Sequence, residues 1–282
     1  MATARIADND GVRIAYETHP RPDGPWTVLV HGLGYPRQGW GPLVDALRGH
    51  LSLVLVDNRG IGGSDVPEGP YDATQMAGDV RAVLDDLGIG AAHVVGTSLG
   101  GMIAQELAIT CPERVDRLVL LASTPGGDAA SPIPEPTRSL LAEVAQLEPL
   151  EALRRLVANA LGPDADPALV ERIVRLRTDT AQSTDGWQAQ AVAGTTYDGG
   201  GRESAITAPT LVVHGTHDVV VAPANATLLD ERIPDSRLAW IERGGHLAFW
   251  EHPEHVAALI LDHLTGGGAT GAAAATAPGE GG

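Results

Sequence analysis

Seven short apolar runs, rich in β-branched residues, recur along the 282-residue chain. They begin at Val12, Trp26, Leu51, Ala92, Arg117, Thr210 and Arg237, and read VRIAYE, WTVLVHG, LSLVLVD, AHVVG, RLVLLAS, TLVVHG and RLAWIE. Most of them are almost continuously hydrophobic, as strands buried on both faces must be. Helical patterns lie between the runs. The alternation therefore predicts a mostly parallel sheet covered by helices on both faces.

The segment ATQMAGDVRAVLDDLG shows the helical pattern most clearly. Its apolar stripe consists of Met76, Val80, Val83, Leu84 and Leu87. Asp72 or Thr74 is suited to cap the N-terminus of this helix, and Gly88 is suited to end it. The adjacent Asp85 and Asp86 fall on the polar side, so a solvated helix face explains them better than a paired-carboxylate site.

The alternation of strands and helices breaks once, between Pro125 and Thr207. A proline-rich lead-in, TPGGDAASPIPEPT, is followed by helical stretches and by DGGGRES. This length is too helical for a loop and too poor in aromatic residues for a separate globular domain. We therefore predict a core built from residues 1–124 and 208–265, with an inserted helical cap over residues 125–207.

The composition of the chain indicates which kinds of partner and which cellular compartment to expect. The net charge of −17 predicts repulsion from nucleic-acid phosphates and anionic membrane surfaces. The chain shows no basic start followed by an apolar stretch and no membrane-length apolar run, so we expect a cytoplasmic protein. The single cysteine, Cys111, cannot form an internal disulfide, which agrees with a reducing compartment. Residues 266–282 contain no large apolar side chain and predict a disordered tail.

A candidate nucleophile lies in the stretch HVVGTSLGGM. The five residues from Gly96 to Gly100 fit the pattern G-x-S-x-G, with Ser98 at its centre, and they join a predicted strand to a predicted helix. Small neighbours let the chain turn sharply there, which lifts the serine hydroxyl to the carboxyl end of the sheet, beside a helix N-terminus. The alternative is a glycine-rich turn that carries a solvated serine.

A serine hydroxyl needs a base, and that base needs an orienting acid. Asp218 follows the strand TLVVHG, and His246 follows the strand RLAWIE in a glycine-preceded loop. The order serine, acid, histidine is the one found in nucleophile-elbow enzymes. Asp218 could instead cap the next helix, with His217 beside it, and His246 could be an ordinary loop histidine. Asp128 is a weaker candidate for the acid.

The loop LGYPRQGW, after the second apolar run, lets backbone approach the serine. The Leu33 and Leu99 amides are the candidate donors to an oxyanion, and His31 has a structural role in the favoured interpretation. In the turn DNRGIGGSD we expect Arg59 to pair with Asp57 or Asp65. This turn lacks the lysine of a phosphate-binding loop.

These segments together resemble an α/β-hydrolase-fold serine hydrolase, in the group of cofactor-free haloperoxidases, enol-lactonases and small esterases. The matching stretches are LVHGLGYPRQGW, LVDNRGIGGSD, VVGTSLGGMIAQELA, PTLVVHGTHDVVV and IERGGHLAFWEHPE. The resemblance implies an eight-stranded sheet, with Ser98 as nucleophile, His246 as general acid/base and Asp218 as its orienter. It implies no cofactor and no metal. Serine at the elbow argues against epoxide hydrolases and haloalkane dehalogenases, which carry aspartate there.

The expected function is hydrolysis of a small carboxylic ester or lactone through an acyl-enzyme on Ser98. Two alternatives use the same triad, namely hydrolysis of a carbon–carbon bond in a vinylogous diketone and perhydrolysis with hydrogen peroxide. A non-catalytic ligand-binding protein on this fold is the alternative from another class. The expected partner is a small-molecule substrate, and the oligomeric state is left open.

The substrate pocket is expected between the sheet edge and the cap. Its candidate lining residues are Tyr35, Trp40, Met102, Trp187 and Phe249. The cap also carries the arginines Arg154, Arg155, Arg172, Arg175 and Arg177, which we expect to face solvent, as charged helical runs usually do. The histidines His252, His255 and His263 fit no zinc-binding spacing, so surface positions explain them better than a metal site.

Overall fold

One eight-stranded sheet organises the part of the chain that the computed structural model describes, residues 3–180 and 183–266. The strands are β1 (Thr3–Asn9), β2 (Val12–His19), β3 (Trp26–Val30), β4 (Ser52–Val56), β5 (Ala92–Thr97), β6 (Val115–Leu121), β7 (Thr210–Gly215) and β8 (Ser236–Ile241). Their order in the sheet is β1-β2-β4-β3-β5-β6-β7-β8. Apart from Gly266, the tail predicted for residues 266–282 lies outside the described residues.

The sheet is mostly parallel, as the run pattern predicts. Strands β4, β3, β5, β6, β7 and β8 pair in parallel, whereas β1 with β2 and β2 with β4 are antiparallel. All seven apolar runs form strands. Strand β1, which no apolar run predicts, pairs along one side only and is largely exposed, with Ala7 as its one buried side chain. An edge strand needs few apolar residues, which explains why its pattern is weak.

Ten α-helices accompany the sheet within the described residues. They are α1 (Gly41–Leu47), α2 (Ala73–Asp86), α3 (Leu99–Thr110), α4 (Glu135–Val144), α5 (Pro149–Asn159), α6 (Ala168–Thr178), α7 (Thr184–Thr196), α8 (Ala224–Arg232), α9 (Ala248–Glu251) and α10 (Pro253–Thr265). Helix α2 begins where the sequence predicts: Asp72 Oδ1 accepts the Gln75 amide at 2.8 Å, and Gln75 Oε1 accepts the Asp72 amide at 3.2 Å. No helix in these described stretches is both long and apolar enough to cross a membrane.

Both faces of the sheet are buried, which is why its strands are continuously apolar. In β4, Val54 and Val56 join one core, and Leu53 and Leu55 join the core on the opposite face. Helices α2 and α3 cover the first face, and helices α1 and α10 cover the second. The predicted fold class is confirmed.

Helices α4 to α7 all lie between β6 and β7, in the stretch predicted as a cap. In this stretch, the described residues form no strand beyond an isolated bridge of Gly126 with Asp198. The bridge joins the two ends of the helical stretch, so the chain leaves the core and returns to it at nearly the same place.

The turn after β4 is held differently from the prediction. Arg59 makes two hydrogen bonds of 2.7 Å to Asp79 of α2, and both side chains are buried. Asp57 instead pairs with Arg37 and accepts the amide of Gly63 at 2.9 Å. The expected partnership of Arg59 with Asp57 or Asp65 is therefore wrong, because Arg59 turns inward and binds the neighbouring helix.

Candidate active site

Ser98 occupies a strained turn between β5 and α3. Its φ of +53° lies in the left-handed region, which residues other than glycine rarely adopt. Residues held in such strained conformations cluster at functional sites. The flanking glycines permit the turn: a Cβ on Gly96 would lie 2.2 Å from the Gly100 carbonyl oxygen, and one on Gly100 would lie 2.0 Å from the Val30 carbonyl oxygen. The G-x-S-x-G spacing is thus required by close backbone crossing.

Neighbouring strands and helices hold this turn in place. The Ser98 amide donates to the Leu121 carbonyl at 2.9 Å, and the hydroxyl of Ser123 donates to the Ser98 carbonyl at 3.0 Å. The amides of Gly101 and Met102 also donate to the Ser98 carbonyl, at 2.9 and 3.2 Å. Because the whole backbone of Ser98 is anchored, its side chain has a defined starting position.

Asp218 lies in the loop after β7 and contacts His246. Its Oδ2 is 2.8 Å from His246 Nδ1, and its Oδ1 accepts the amides of Val220 and Val221 at 2.8 and 2.9 Å. Burial raises the pKa of this carboxyl group, but the charge of His246 and the hydrogen bonds from His214 and His246 outweigh it, so the pKa lies well below its ordinary value. The group is therefore an ionised carboxylate at neutral pH.

The two alternatives to Asp218, His217 and Asp128, both lie on the surface. His217 is exposed, and its Nδ1 lies 3.1 Å from the hydroxyl oxygen of Thr216. Asp128 is exposed in the loop after β6. The structure brings only Asp218, of these three, against His246.

Ser98 and His246 line one cavity of about 500 Å³ between the sheet edge and the helices α4 to α7. Core residues His31, Leu33 and Val220 form part of its wall. The remaining wall comes largely from apolar side chains of the inserted helices: Leu141, Leu153, Leu156, Val157 and Ala191. Such a cavity can admit a small, mostly apolar molecule to the serine.

Only two of the five predicted lining residues reach this cavity, Tyr35 and Trp187. Trp40 and Phe249 are buried in the core, where their rings lie 5.1 Å apart. Met102 faces the opposite core from helix α3. The prediction is wrong for these three residues, because their large apolar side chains complete the two cores beneath the site.

The loop after β3 passes close to Ser98. A Cβ on Gly32 would lie 3.1 Å from the Cβ of Ser98, and Leu33 lines the cavity. Within the described part of the chain, neither the Leu33 amide nor the Leu99 amide donates to a protein acceptor. Both amides are therefore available to a ligand.

Gln190 of helix α7 ties this loop to the inserted helices, a role that no sequence signal indicated. Its Oε1 accepts the Gly34 amide at 3.0 Å, and its Nε2 donates to the Arg59 carbonyl at 2.7 Å. Gln190 is almost fully buried. One side chain of the inserted helices thus holds two loops of the core.

His31 supports the same loop from beneath. It is buried and its ring stacks on Tyr35 with centroids 4.6 Å apart, while its Nδ1 accepts the Gly32 amide at 2.8 Å. Burial lowers the pKa of His31 to about 3, so the ring is neutral at neutral pH. This agrees with the structural role that the sequence favours.

Two buried histidines with lowered pKa values, His31 and His263, should make the folded protein less stable in mild acid. The surface position expected for His263 is wrong, because this side chain is buried at the end of α10. Burial lowers the pKa of His31 to about 3 and that of His263 to about 4, from an ordinary 6.5. As the pH falls through 6.5, these histidines take up protons in the unfolded chain but stay neutral in the folded one. Their contribution to stability is therefore fully present above pH 6.5 and is lost progressively as the pH falls towards the folded-state pKa. We expect each histidine to remove about 2 kcal/mol of unfolding free energy between about pH 7 and about pH 5.

Urea unfolding at both pH values measures this change. His263→Gln, which cannot titrate, should show a smaller decrease than the unmodified protein, by about the contribution of one histidine. Equal decreases in the two proteins would contradict the assignment for His263.

The expectation that the arginines of the inserted helices face solvent is wrong for Arg177. Its guanidinium carbon lies 4.7 Å from the ring centroid of Tyr35, and its side chain lines the cavity rather than facing solvent. Arg154 and Arg155 do pair with carboxylates on partly exposed surface, as charged helix faces usually do. No Asp or Glu is among the described residues that line the cavity. Arg177 places a cation at the cavity wall, beside the ring of Tyr35.

Comparison with known proteins agrees with this architecture. Residues 25–253 match the family described as alpha/beta hydrolase fold. The chain is 31% identical to a 2-hydroxy-6-oxononadienedioate/2-hydroxy-6-oxononatrienedioate hydrolase of Cupriavidus pinatubonensis, over 84% of this chain and 86% of that one. It is also 31% identical to a pimeloyl-[acyl-carrier protein] methyl ester esterase of Aeromonas hydrophila, over 86% and 96% of the two chains. The crystal structure of the enol-lactonase from Burkholderia xenovorans LB400 superposes with a TM-score of 0.80 at 26% identity, over 93% of this chain and 100% of that one.

The fold and these likenesses define a hydrolase. The chain belongs to the α/β-hydrolase fold family, whose match spans most of its length. The resemblance noted in the sequence, to the group that contains small esterases and enol-lactonases, is confirmed.

Proposed function

We propose that the protein is a serine hydrolase that cleaves a small carboxylic ester or lactone through an acyl-enzyme on Ser98. The observation that carries the proposal is the 2.8 Å contact between Asp218 and His246, beside the same cavity that Ser98 lines. The elbow geometry of Ser98 supports it, because a nucleophile on such a turn projects into the substrate space.

The proposed reaction has two halves. His246 takes the proton of the Ser98 hydroxyl as that oxygen attacks the substrate carbonyl carbon, and the histidine then gives the proton to the leaving alcohol oxygen. In the second half a water molecule loses a proton to His246, attacks the acyl carbon and releases the acid, and the proton returns to Ser98. Asp218 keeps the Nδ1 proton of His246 in place and stabilises the cationic ring. Hydrogen bonds between nucleophile and base often tighten only when substrate binds.

The oxyanion that forms in each half needs donors. The Leu33 and Leu99 amides are proposed for this role, and the latter also stands at the N-terminus of α3, where the helix dipole favours negative charge. Loss of one such donor typically costs about 10²–10³ in rate. Gln190 holds the loop that carries Leu33, because its side chain accepts the amide of the adjacent Gly34. This contact helps to keep one proposed oxyanion donor in place.

A second candidate activity is hydrolysis of a carbon–carbon bond beside a carbonyl group. The likeness to a relative whose name specifies a dioate substrate, and the cation of Arg177 at the cavity, favour it. The triad chemistry is the same, so the two candidates differ in the substrate that the cavity admits. Comparing turnover of p-nitrophenyl esters with turnover of a vinylogous diketone acid distinguishes them, and loss of either turnover in Ser98→Ala tests the shared nucleophile.

Arg177→Gln is expected to slow the hydrolysis of anionic substrates and to leave that of neutral substrates nearly unchanged. We expect kcat/KM for an ester that carries a free carboxylate to fall about tenfold or more, because a charge-assisted hydrogen bond is lost, while a neutral ester of equal length changes little. Steady-state kinetics with a monoester of a dicarboxylic acid and with its neutral analogue measure this. Arg175→Gln, on the exposed side of the same helix, is the matched control. Equal losses for both esters would show that Arg177 only supports the fold.

A further inference from the structure

A second histidine contacts the carboxylate of Asp218. His214 is buried near the carboxyl end of β7, four residues before Asp218. Its Nε2 lies 3.1 Å from Asp218 Oδ2 and 3.0 Å from the carbonyl oxygen of Val221. His214 is the one titratable residue in the buried run TLVVHG, but nothing within that run indicates its contact with Asp218.

The surroundings define what His214 Nε2 does. A carbonyl oxygen and a carboxylate oxygen can only accept, so Nε2 carries a proton and donates between them. Asp218 Oδ2 then accepts hydrogen bonds from His214 and His246, while Oδ1 accepts those of the Val220 and Val221 amides. Four donors thus surround one carboxylate and fill its acceptor sites.

The same contact closes the loop that carries the acid. The Val221 amide donates to Asp218, and the Val221 carbonyl accepts from His214, so both ends of this residue are held to the same pair of side chains. Within that loop Val220 lines the cavity, and the carbonyl of Val219 accepts the hydroxyl of Thr137 in α4. The position of the loop therefore affects the acid, the cavity wall and the contact with the cap.

We propose that His214 is a positioning residue for the hydrolytic reaction, which orients the Asp218 carboxylate so that Oδ2 meets Nδ1 of His246. This role rests on the proposed serine hydrolase function. His214 touches no substrate in this role, since it is absent from the residues that line the cavity. It acts entirely through Asp218.

A packing role alone does not account for a histidine at this position. Its Nδ1 is buried with no hydrogen-bond partner among the described residues, and an unsatisfied buried polar atom costs about 1–3 kcal/mol. A leucine would fill similar space beside Trp240, whose ring centroid is 6.2 Å away, without that cost. The donor at Nε2 is what distinguishes histidine from an apolar residue here.

Three single variants and one double variant test the role, with a p-nitrophenyl ester as substrate. We expect His214→Leu to lower kcat about tenfold at nearly unchanged KM, the loss that corresponds to one hydrogen bond to a charged group. His214→Gln, whose amide nitrogen can take the place of Nε2, should recover most of that loss. In an Asp218→Asn background, His214→Leu should add little further loss, because its effect passes through the carboxylate.

His263→Leu is the matched control. His263 is also a buried histidine, and its Nε2 lies 3.1 Å from the Pro209 carbonyl oxygen, but it does not line the cavity. We expect it to lower the melting temperature and leave kcat unchanged. If His214→Leu does not fold, His214→Asn replaces it, since that shorter side chain keeps an amide but cannot reach Oδ2 as glutamine does.

The outcomes separate the two proposals. If Ser98→Ala abolishes turnover while His214→Leu keeps the kcat of the unmodified protein, the role of His214 is overturned and the proposed function stands. Equal losses in the leucine (or asparagine) and glutamine variants, or a full additional loss in the double variant, also overturn it. Turnover that survives Ser98→Ala overturns the proposed function, and the role of His214 with it.

Discussion

Ser98→Ala is expected to lower kcat for a p-nitrophenyl ester by at least about 10⁴-fold, because the acyl-enzyme can no longer form. The residual rate should reflect the oxyanion donors and substrate binding alone. The fold should survive, since the backbone of residue 98 makes the contacts that anchor the elbow and its side chain makes none of them. Initial rates of nitrophenol release, measured beside thermal melts, give both quantities.

A matched control for this experiment is Ser204→Ala. Ser204 is an exposed serine in the short helical turn before β7, and its hydroxyl donates only to a local backbone carbonyl. It should keep the turnover of the unmodified protein. Similar turnover in Ser98→Ala and the unmodified protein would contradict the nucleophile assignment and leave the cavity as a binding site.

Asp218→Asn is expected to lower kcat about 10⁴-fold while the protein stays folded. The amide oxygen can still accept the amides of Val220 and Val221, so the loop keeps its shape. The amide nitrogen, however, donates where a carboxylate oxygen accepts, which places His246 in the wrong tautomer and removes the charge that stabilises its protonated form. Steady-state kinetics over a range of pH, with a melting curve at each pH, measure the effect.

Asp128→Asn supplies the comparison for Asp218. The exposed Asp128 was the weaker alternative for the acid, and its variant should retain full activity. A severe loss in Asp128→Asn with normal turnover in Asp218→Asn would reverse the assignment. A loss of the folded state in Asp218→Asn would show instead that the buried carboxylate is needed for stability.

The fold was largely predictable because its signals are local. Each buried strand must be apolar on both faces, so the seven runs are visible without any partner strand. The start of α2 was equally accessible, since Asp72 and Gln75 cap it through contacts three residues apart. Strand β1 escaped prediction because an exposed edge strand carries no comparable pattern.

The candidate site divides in the same way. Ser98 was predictable because its glycine neighbours are required by the turn itself, and Asp218 and His246 because each follows a strand at the same edge of the sheet. Their geometry depends on contacts that are distant along the chain. Gln190 meets Gly34 across 156 positions, a distance over which one sequence carries no signal.

The sequence by itself determined the class of fold, the turn that exposes Ser98 and the order of the three candidate residues, because strand burial and sharp turns constrain residues close together in the chain. The tertiary structure alone decided which aromatic side chains face the cavity and which arginine turns inward. It also decided that His214 shares the carboxylate of Asp218. Those features depend on which side chains meet when the inserted helices close over the sheet edge, and such meetings are set by packing across the whole molecule.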